Sequence, residues 1–421
     1  MQQPKCQQAQ DEKMKSLTQY FRLLPLSPVH PVFHSRSPIV ISCSPHITPY
    51  LKKELTASGF PVLNETFTTI QTEGNFDDAI KLNLSLRTAN HVFLLIRKFI
   101  APSIQKLYEE VKTVDWEELI PADGYFSVHS VAEHPEVTNF MFLNMKIKDA
   151  IADRFMEKTN QRPDSGAEKI RTVVFLHWKD NEASLYLDTS GESLTRHGYR
   201  KIASKAPMQE SLAAALILST PWDRKSPFVN PMCGSGTLAI EAALMASNKP
   251  PGLIRKNFGF MHLNGFDKKK YDEQLAALEL NVDRAPKTEI IASDRDRRAL
   301  GAAQQNAKLA GVDHLIRFVT CEFDQTPVPE EKGVIIFNPP YGERLGATDE
   351  LRSLYSSIGN FLKHKTPGYL GYVFTASQEL SKYIGLKPKS KRNFLNGSLE
   401  CRLLEFEIFA GKRKDHKREG N

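Results

Sequence analysis

From Ser226 onward the chain alternates short apolar runs with amphipathic segments, and this rhythm restricts its fold more than any other feature of its 421 residues. Phe228-Val229 ends one strand, and residues 238–246 read as a helix. Residues 288–293 form the next strand and 297–310 its helix, closed by Gly311 as a C-terminal cap. Residues 316–320 and 334–337 add two strands, 351–364 a helix and 369–375 a fifth strand. Phe394 and residues 401–409 supply a terminal strand pair. Parallel strands require crossovers, so this pattern predicts an α/β doubly wound, mostly parallel sheet with its ligand at the carboxyl ends of the strands.

The first half lacks that rhythm. Residues 39–43 read as a buried strand, followed by a helix to Ser58 with Thr48 as N-cap and Pro49 at its first position. A strand around Thr66–Thr72 and a helix over 76–84 come next, while 88–100 fits strand or helix. Residues 125–131 form a strand, 139–158 an amphipathic helix, and 173–178 with 182–188 a hairpin turning at Lys179-Asp180-Asn181. Mixed elements without a βαβ order indicate an α+β module. The resulting division is a poorly ordered, proline-bearing leader (1–36), an α+β module (37–190), an α/β domain (191–410) and a basic tail (411–421).

A chain of this length needs two or three cores, and 41% hydrophobic with 25% charged residues describes a globular protein. No apolar run approaches the roughly 18 residues that span a bilayer, and the first residues, Met1 to Gln8, lack the apolar core of a secretion signal. Five scattered cysteines without CxxC spacing suit a reducing cytoplasm, and they disfavour a disulfide scaffold or a structural zinc. The net charge of +7 is compatible with a nucleic-acid partner.

Two motifs carry chemistry. Asn338-Pro339-Pro340-Tyr341 follows the apolar strand Val334-Ile335-Ile336-Phe337. The Asn338 side-chain oxygen and the Pro339 carbonyl can accept from an exocyclic amine, Tyr341 offers a face to the ring, and the prolines fix φ and remove amide donors. Two acceptors on an NH2 group draw its nitrogen toward a tetrahedral shape and free the lone pair for attack. The pattern points to amino-group methylation. Cys233 and Cys321 read as packing residues.

Upstream stands the glycine turn Asn230-Pro231-Met232-Cys233-Gly234-Ser235-Gly236-Thr237. It also fits the loose dinucleotide fingerprint, which expects an acidic ribose partner about 20 residues later. Asp294 lies 58 residues past Gly236, and a dinucleotide reading leaves residues 338–341 unexplained. S-adenosyl-L-methionine (AdoMet) fits better. Asn230, Gly234, Ser235 and Gly236 shape the turn, and the helix beginning near Thr237 can receive a carboxylate. Asp294 is placed to accept the ribose hydroxyls and Asp324 the adenine amine.

In this order the motifs resemble the THUMP-domain RNA guanine-N2 methyltransferases, particularly the bacterial 23S ribosomal RNA enzymes and shorter proteins related to their N-terminal half. The resemblance spans roughly residues 38–410. It rests on Leu86-Arg87-Thr88-Ala89, on the run from Asp188 to Leu194, on Arg196-His197-Gly198-Tyr199-Arg200 and on the run from Ala206 to Ala215. The glycine turn with Glu241-Ala242-Ala243, Pro251-Gly252-Leu253 and residues 338–346 complete it. It implies AdoMet as donor, guanine N2 in structured RNA as acceptor, a ferredoxin-like lead-in with a THUMP RNA-binding module, and a helix from 206, including Pro207, lining the methionine end of the cofactor. Two departures stand out: Asn230 where many relatives carry Asp, and no tryptophan near Asp267.

The expected reaction is direct in-line transfer from the sulfonium to the amine, dominated by positioning, with the target base out of its helix. Arg162, Lys169, Arg171, Arg196, Arg200, Lys201 and Lys205 are candidate phosphate contacts. The same motif also serves adenine N6 in DNA, guanine in transfer RNA, or a glutamine amide. A non-catalytic RNA-binding or assembly factor is the rival from another class.

Overall fold

The computed structural model of the protein describes residues 31–200, 208–341 and 348–409. Two sheets organise it. The first contains β1 (Ser37–Ser42), β2 (Asn64–Glu65), β3 (Thr69–Gly74), β4 (His91–Ile100), β5 (Tyr125–Glu133), β6 (Asp164–Gly166), β7 (Thr172–Lys179) and β8 (Glu182–Asp188). Their spatial order is β2-β3-β1-β4-β8-β7-β5-β6, so one continuous sheet runs through the whole α+β half. Its helices are α1 (Thr48–Ala57), α2 (Phe76–Ser85), α3 (Ile104–Lys112), α4 (Trp116–Leu119) and α5 (Phe140–Thr159).

The ambiguous stretch 88–100 resolves as a strand. β4 pairs with both β1 and β8, and the long-range ladder decides what local pattern could not. Period-two alternation sends Val92 and Leu94, Val174 and Leu176, and Leu185 and Leu187 into the helix-covered core. One cap differs from expectation. Helix α1 is capped by Ile47, because Thr48 is already helical and its hydroxyl donates to the Phe67 carbonyl (2.7 Å). The expected irregular leader is anchored at its end: Pro31–Phe33 makes a 3-10 turn, and Phe33 packs edge-on against Phe76 (4.9 Å between centroids).

The second sheet follows the predicted alternation. It contains β9 (Phe228–Pro231), β10 (Ile290–Asp294), β11 (Ile316–Thr320), β12 (Val334–Phe337), β13 (Leu370–Thr375), β14 (Ser390–Asn396) and β15 (Leu399–Glu407), in the order β11-β10-β9-β12-β13-β15-β14. The first five are mutually parallel and the terminal pair antiparallel. Helices α6 (Glu210–Leu218), α7 (Thr237–Ala246), α8 (Lys268–Leu280), α9 (Arg297–Ala310), α10 (Asp349–Lys365) and α11 (Gln378–Tyr383) flank it. Strand β9 has β10 on one side and β12 on the other, which makes the gap between them the switch point where such sheets bind ligands.

The two halves meet backbone to backbone. A Cβ on Gly252 would lie 2.4 Å from the Leu84 Cα, and one on Gly259 would lie 2.5 Å from the Asp188 carbonyl oxygen. Glycine is required at both contacts. Among the described residues, no helix is long and apolar enough to cross a membrane, and no cluster of ligating side chains could hold a metal ion.

Candidate active site

The glycine turn leaves β9 at its buried end. Met232, Gly234 and Gly236 all take positive φ (54°, 55° and 81°). Gly236 caps α7, and a Cβ there would stand 2.8 Å from the Ala303 Cβ, so the close packing of α7 on α9 demands glycine. A Cβ on Gly234 would point into open space. The glycine therefore serves the left-handed backbone. Ser235 is buried, and its carbonyl accepts a long bond from Asn306 (3.4 Å).

Asp294 joins the turn to the next strand end. Its Oδ2 accepts from the Gly234 amide (2.9 Å) and its Oδ1 from the Asp296 amide (2.9 Å). Each oxygen keeps acceptor capacity for an incoming hydroxyl. Beside it opens a cleft of about 470 Å³, lined by Met232, Asp294, Glu322, Phe323, Pro340 and Leu354 among others. Asp324 is not brought into this cleft. The 3-10 turn Phe323–Gln325 leaves Asp324 exposed and turns Phe323 inward, where it also contacts Phe337 and Phe361 edge-on. Phe323 is the residue of this turn that lines the cleft. Sequence reasoning passed over Phe323 because a lone Phe after a strand looks like core.

The four residues after β12 split by exposure. Pro339 is buried, Pro340 is exposed at the cleft, and Asn338 and Tyr341 are half-buried. The Asn338 Oδ1 is buried and has no hydrogen-bond partner among the described residues. A buried acceptor left unmade costs roughly 1–3 kcal/mol, so it marks a place where a donor belongs. Tyr341 is held by its hydroxyl, which accepts from the Asn396 amide (2.8 Å) at the tip of the β14–β15 hairpin. Asn396 carried no local signal, since a turn asparagine next to Gly397 has an ordinary turn explanation.

Asn230 sits inside the sheet. Its amide donates to the Ile336 carbonyl (2.9 Å), bridging β9 and β12 where their ladder stops at Val229 and Ile335. Its Oδ1 is buried without a partner among the described residues. Pro207, with Lys201 and Lys205, lies outside the described residues. Burial and the nearby Asp294 charge push the Cys233 thiol upward, which suits packing and not nucleophilic attack.

A buried polar node lies behind the glycine helix. Glu241 of α7 receives the Tyr199 hydroxyl (2.9 Å) and contacts His197 Nδ1 (2.7 Å), while His197 Nε2 reaches the Arg87 carbonyl (2.9 Å). Arg87 donates to the carbonyls of Lys249 (2.7 Å) and Leu244 (3.2 Å), and its own amide bonds Glu54 of α1 (2.9 Å). Burial pulls the His197 pKa down, but the Glu241 carboxylate outweighs it and the net shift is upward. Arg200, expected to face phosphate, turns inward instead to the Met208 carbonyl (2.6 Å) and the Thr237 hydroxyl (2.8 Å). Arg87, His197, Tyr199 and Glu241 stood among the family-like motifs, but without any chemistry attached to them.

A wider cleft of about 620 Å³ lies at the opposite, amino ends of β10 and β11. Its mixed lining (Lys287, Glu289, Arg317, Glu331) sits on the far side of the sheet from the glycine turn and Asn338. The ligand-binding logic of the fold belongs to the other end.

Comparison with known proteins agrees with this arrangement. Residues 38–93 match the RlmL ferredoxin-like domain, 101–188 the THUMP domain, and 197–405 the RMKL-like methyltransferase domain. The chain is 40% identical over 374 residues to a ribosomal RNA large subunit methyltransferase K/L from Syntrophotalea carbinolica, covering 86% of this chain and 52% of that protein. It spans about half the length of the curated relatives it matches. A protein assigned as a methyltransferase and crystallised with SAH superposes with a TM-score of 0.80, at 27% identity over 90% of this chain and 99% of that one. A predicted N6-adenine-specific DNA methylase from Listeria monocytogenes gives 0.80, at 29% identity over 89% of this chain and 97% of that one.

Proposed function

The chain belongs to the THUMP-linked, RMKL-like AdoMet-dependent methyltransferases, and from that premise we propose that it methylates the exocyclic N2 amine of a guanosine in 23S ribosomal RNA. The observation that carries the amine reading is the unpartnered, buried Asn338 Oδ1 beside the Pro339 carbonyl. The RNA reading rests on the THUMP module and on the K/L relatives, which are named as ribosomal RNA enzymes.

AdoMet supplies an electrophilic methyl group. The residues present fit it: Gly234 keeps its space free of a side chain, Asp294 has lone pairs at the cleft for ribose hydroxyls, and Phe323 offers a ring for adenine. Asn338 and Pro339 hold the acceptor amine by its hydrogens, and Tyr341, fixed through Asn396, packs against the base. Most of the acceleration in this scheme comes from positioning and from excluding water. The released proton goes to solvent.

A second reading is adenine N6 in DNA, favoured by the described specificity of the Listeria neighbour. Labelled methyl transfer to unmodified ribosomal RNA, transfer RNA and DNA, followed by nucleoside mass spectrometry, separates the two. N2-methylguanosine in ribosomal RNA is the expected product. N6-methyladenine in DNA would replace the acceptor, and AdoMet binding without transfer to any of them would leave a binding role.

A further inference from the structure

Helix α7 carries the glycine turn at its N-terminal end, yet its own sequence offers little to fix where it sits. Every residue from Thr237 to Met245 is buried, and Thr237 and Glu241 are its two polar side chains. Apolar burial favours a covered helix without directing it. Hydrogen bonds are directional, and they set the position of such a helix along its axis.

Both polar side chains are held from one short segment outside the helix. Arg200 donates to the Thr237 hydroxyl (2.8 Å), the Tyr199 hydroxyl donates to Glu241 (2.9 Å), and His197 bonds the same carboxylate oxygen (2.7 Å). The C-terminal end is held from much farther along the chain. Arg87, in the part that matches the ferredoxin-like domain, sends Nη2 to the carbonyls of Leu244 (3.2 Å) and Lys249 (2.7 Å). The last carbonyls of a helix carry partial negative charge, so a guanidinium suits them. Arg87 is itself anchored: its amide, with the Thr88 amide and hydroxyl, donates to Glu54 of α1. Its carbonyl meets His197 Nε2 (2.9 Å), so Arg87 reaches α7 twice, at the end directly and at Glu241 through His197. Burial disfavours the guanidinium charge, and the carboxylates of Glu241 and Glu54 offset part of that cost. The loop that leaves α7 then reaches Gly252, whose contact with Leu84 admits no Cβ.

We propose that Arg87 is a positioning residue for AdoMet, acting through α7 on the glycine turn at the other end of the helix. The ten residues of α7 span about 15 Å, so Arg87 is remote from the cofactor cleft. A rigid helix passes a displacement of its C-terminal end on to Gly234, Gly236 and Thr237, where small misplacements weaken binding. The N-terminal module thereby sets the geometry of the cofactor site. By linkage, bound AdoMet in turn steadies the contact between the two halves. The inference rests on the AdoMet reading of the cleft and is independent of the acceptor.

The test uses the full chain and AdoMet alone, by calorimetry at a temperature where each variant is folded by circular dichroism. Arg87→Met removes the donors and keeps the apolar stem. It should weaken AdoMet about 2- to 30-fold, the range for changes within a coupled network. Arg87→Lys keeps the charge and a donor, and should recover part of that loss. Tyr199→Phe removes one hydroxyl from Glu241 and should weaken AdoMet less, and it decides the question if Arg87→Met does not fold. In the wild-type chain, AdoMet should also slow hydrogen exchange in peptides covering 84–90 and 247–253. A merely structural Arg87 would lower the melting temperature and leave the AdoMet affinity of the folded protein unmoved. Wild-type affinity in the folded variants, or protection confined to the glycine turn and the strand ends at 294 and 338, would overturn the inference. A wild-type chain that does not bind AdoMet would overturn the cofactor reading and this inference with it. If methyl transfer to ribosomal RNA fails while the Arg87 effect holds, the acceptor is wrong and the positioning role stands.

Discussion

The two sheets bury their apolar residues in different ways. In the C-terminal sheet, β9 and β12 are buried along their whole length, so both faces are covered and only strand ends and loops meet solvent. In the N-terminal sheet one face packs on helices and the other carries a ring cluster in which Phe93 stacks on Phe175. The difference is one of access: a sheet covered on both sides is reached only at its edge, where Gly234, Asp294 and Asn338 converge from three neighbouring strand ends.

The node between the sheets is the sharpest place to break this division. Glu241→Ala removes the acceptor shared by His197 and Tyr199 and leaves both buried, so it should cost about 3–5 kcal/mol of stability, read as a lower denaturation midpoint. The node also has a pH signature. His197 has a raised folded pKa, so its contribution is complete below the unfolded value of about 6.5 and is lost as pH climbs through the folded value. Wild-type stability should decline over that alkaline window, and Glu241→Gln should decline less. Equal slopes would remove His197 as the source.

Within the catalytic edge, Asn338→Ala should reduce turnover about 10²- to 10³-fold, as for loss of one positioned polar group, with AdoMet affinity unchanged by calorimetry. Asp294→Ala should do the reverse and weaken AdoMet about 10- to 100-fold, since it removes charge-assisted acceptors and releases the Gly234 amide. The smallest effects test the hairpin contact. Tyr341→Phe and Asn396→Ala should each lower kcat/KM for the acceptor about 3- to 10-fold, and the double variant should be no worse than either alone. Additive losses would mean that the 2.8 Å bond does not position the ring.

Much of the proposed catalytic edge was legible from residue order. Glycines needing positive φ, an acid at the next strand end and Asn-Pro-Pro-Tyr after a buried strand are local features, each with a local physical cause. Arg200 shows where that reasoning fails: an arginine in a polar stretch points inward where carbonyls wait for it. Phe323 and Asn396 were hidden for a related reason, because each looks ordinary until a partner far along the chain gives it a role.

Most element types and the α/β rhythm after Ser226 follow from residue order alone, since periodicity and turn residues act over a few positions. Tertiary pairing was needed to make β4 a strand, to set Asn230 as a bridge between β9 and β12 inside the sheet, and to gather Glu54, Arg87, His197 and Glu241 into one buried node. Each of these depends on residues brought together across long stretches of chain. Burial and long-range pairing set their energies, and neither is written in the neighbouring residues.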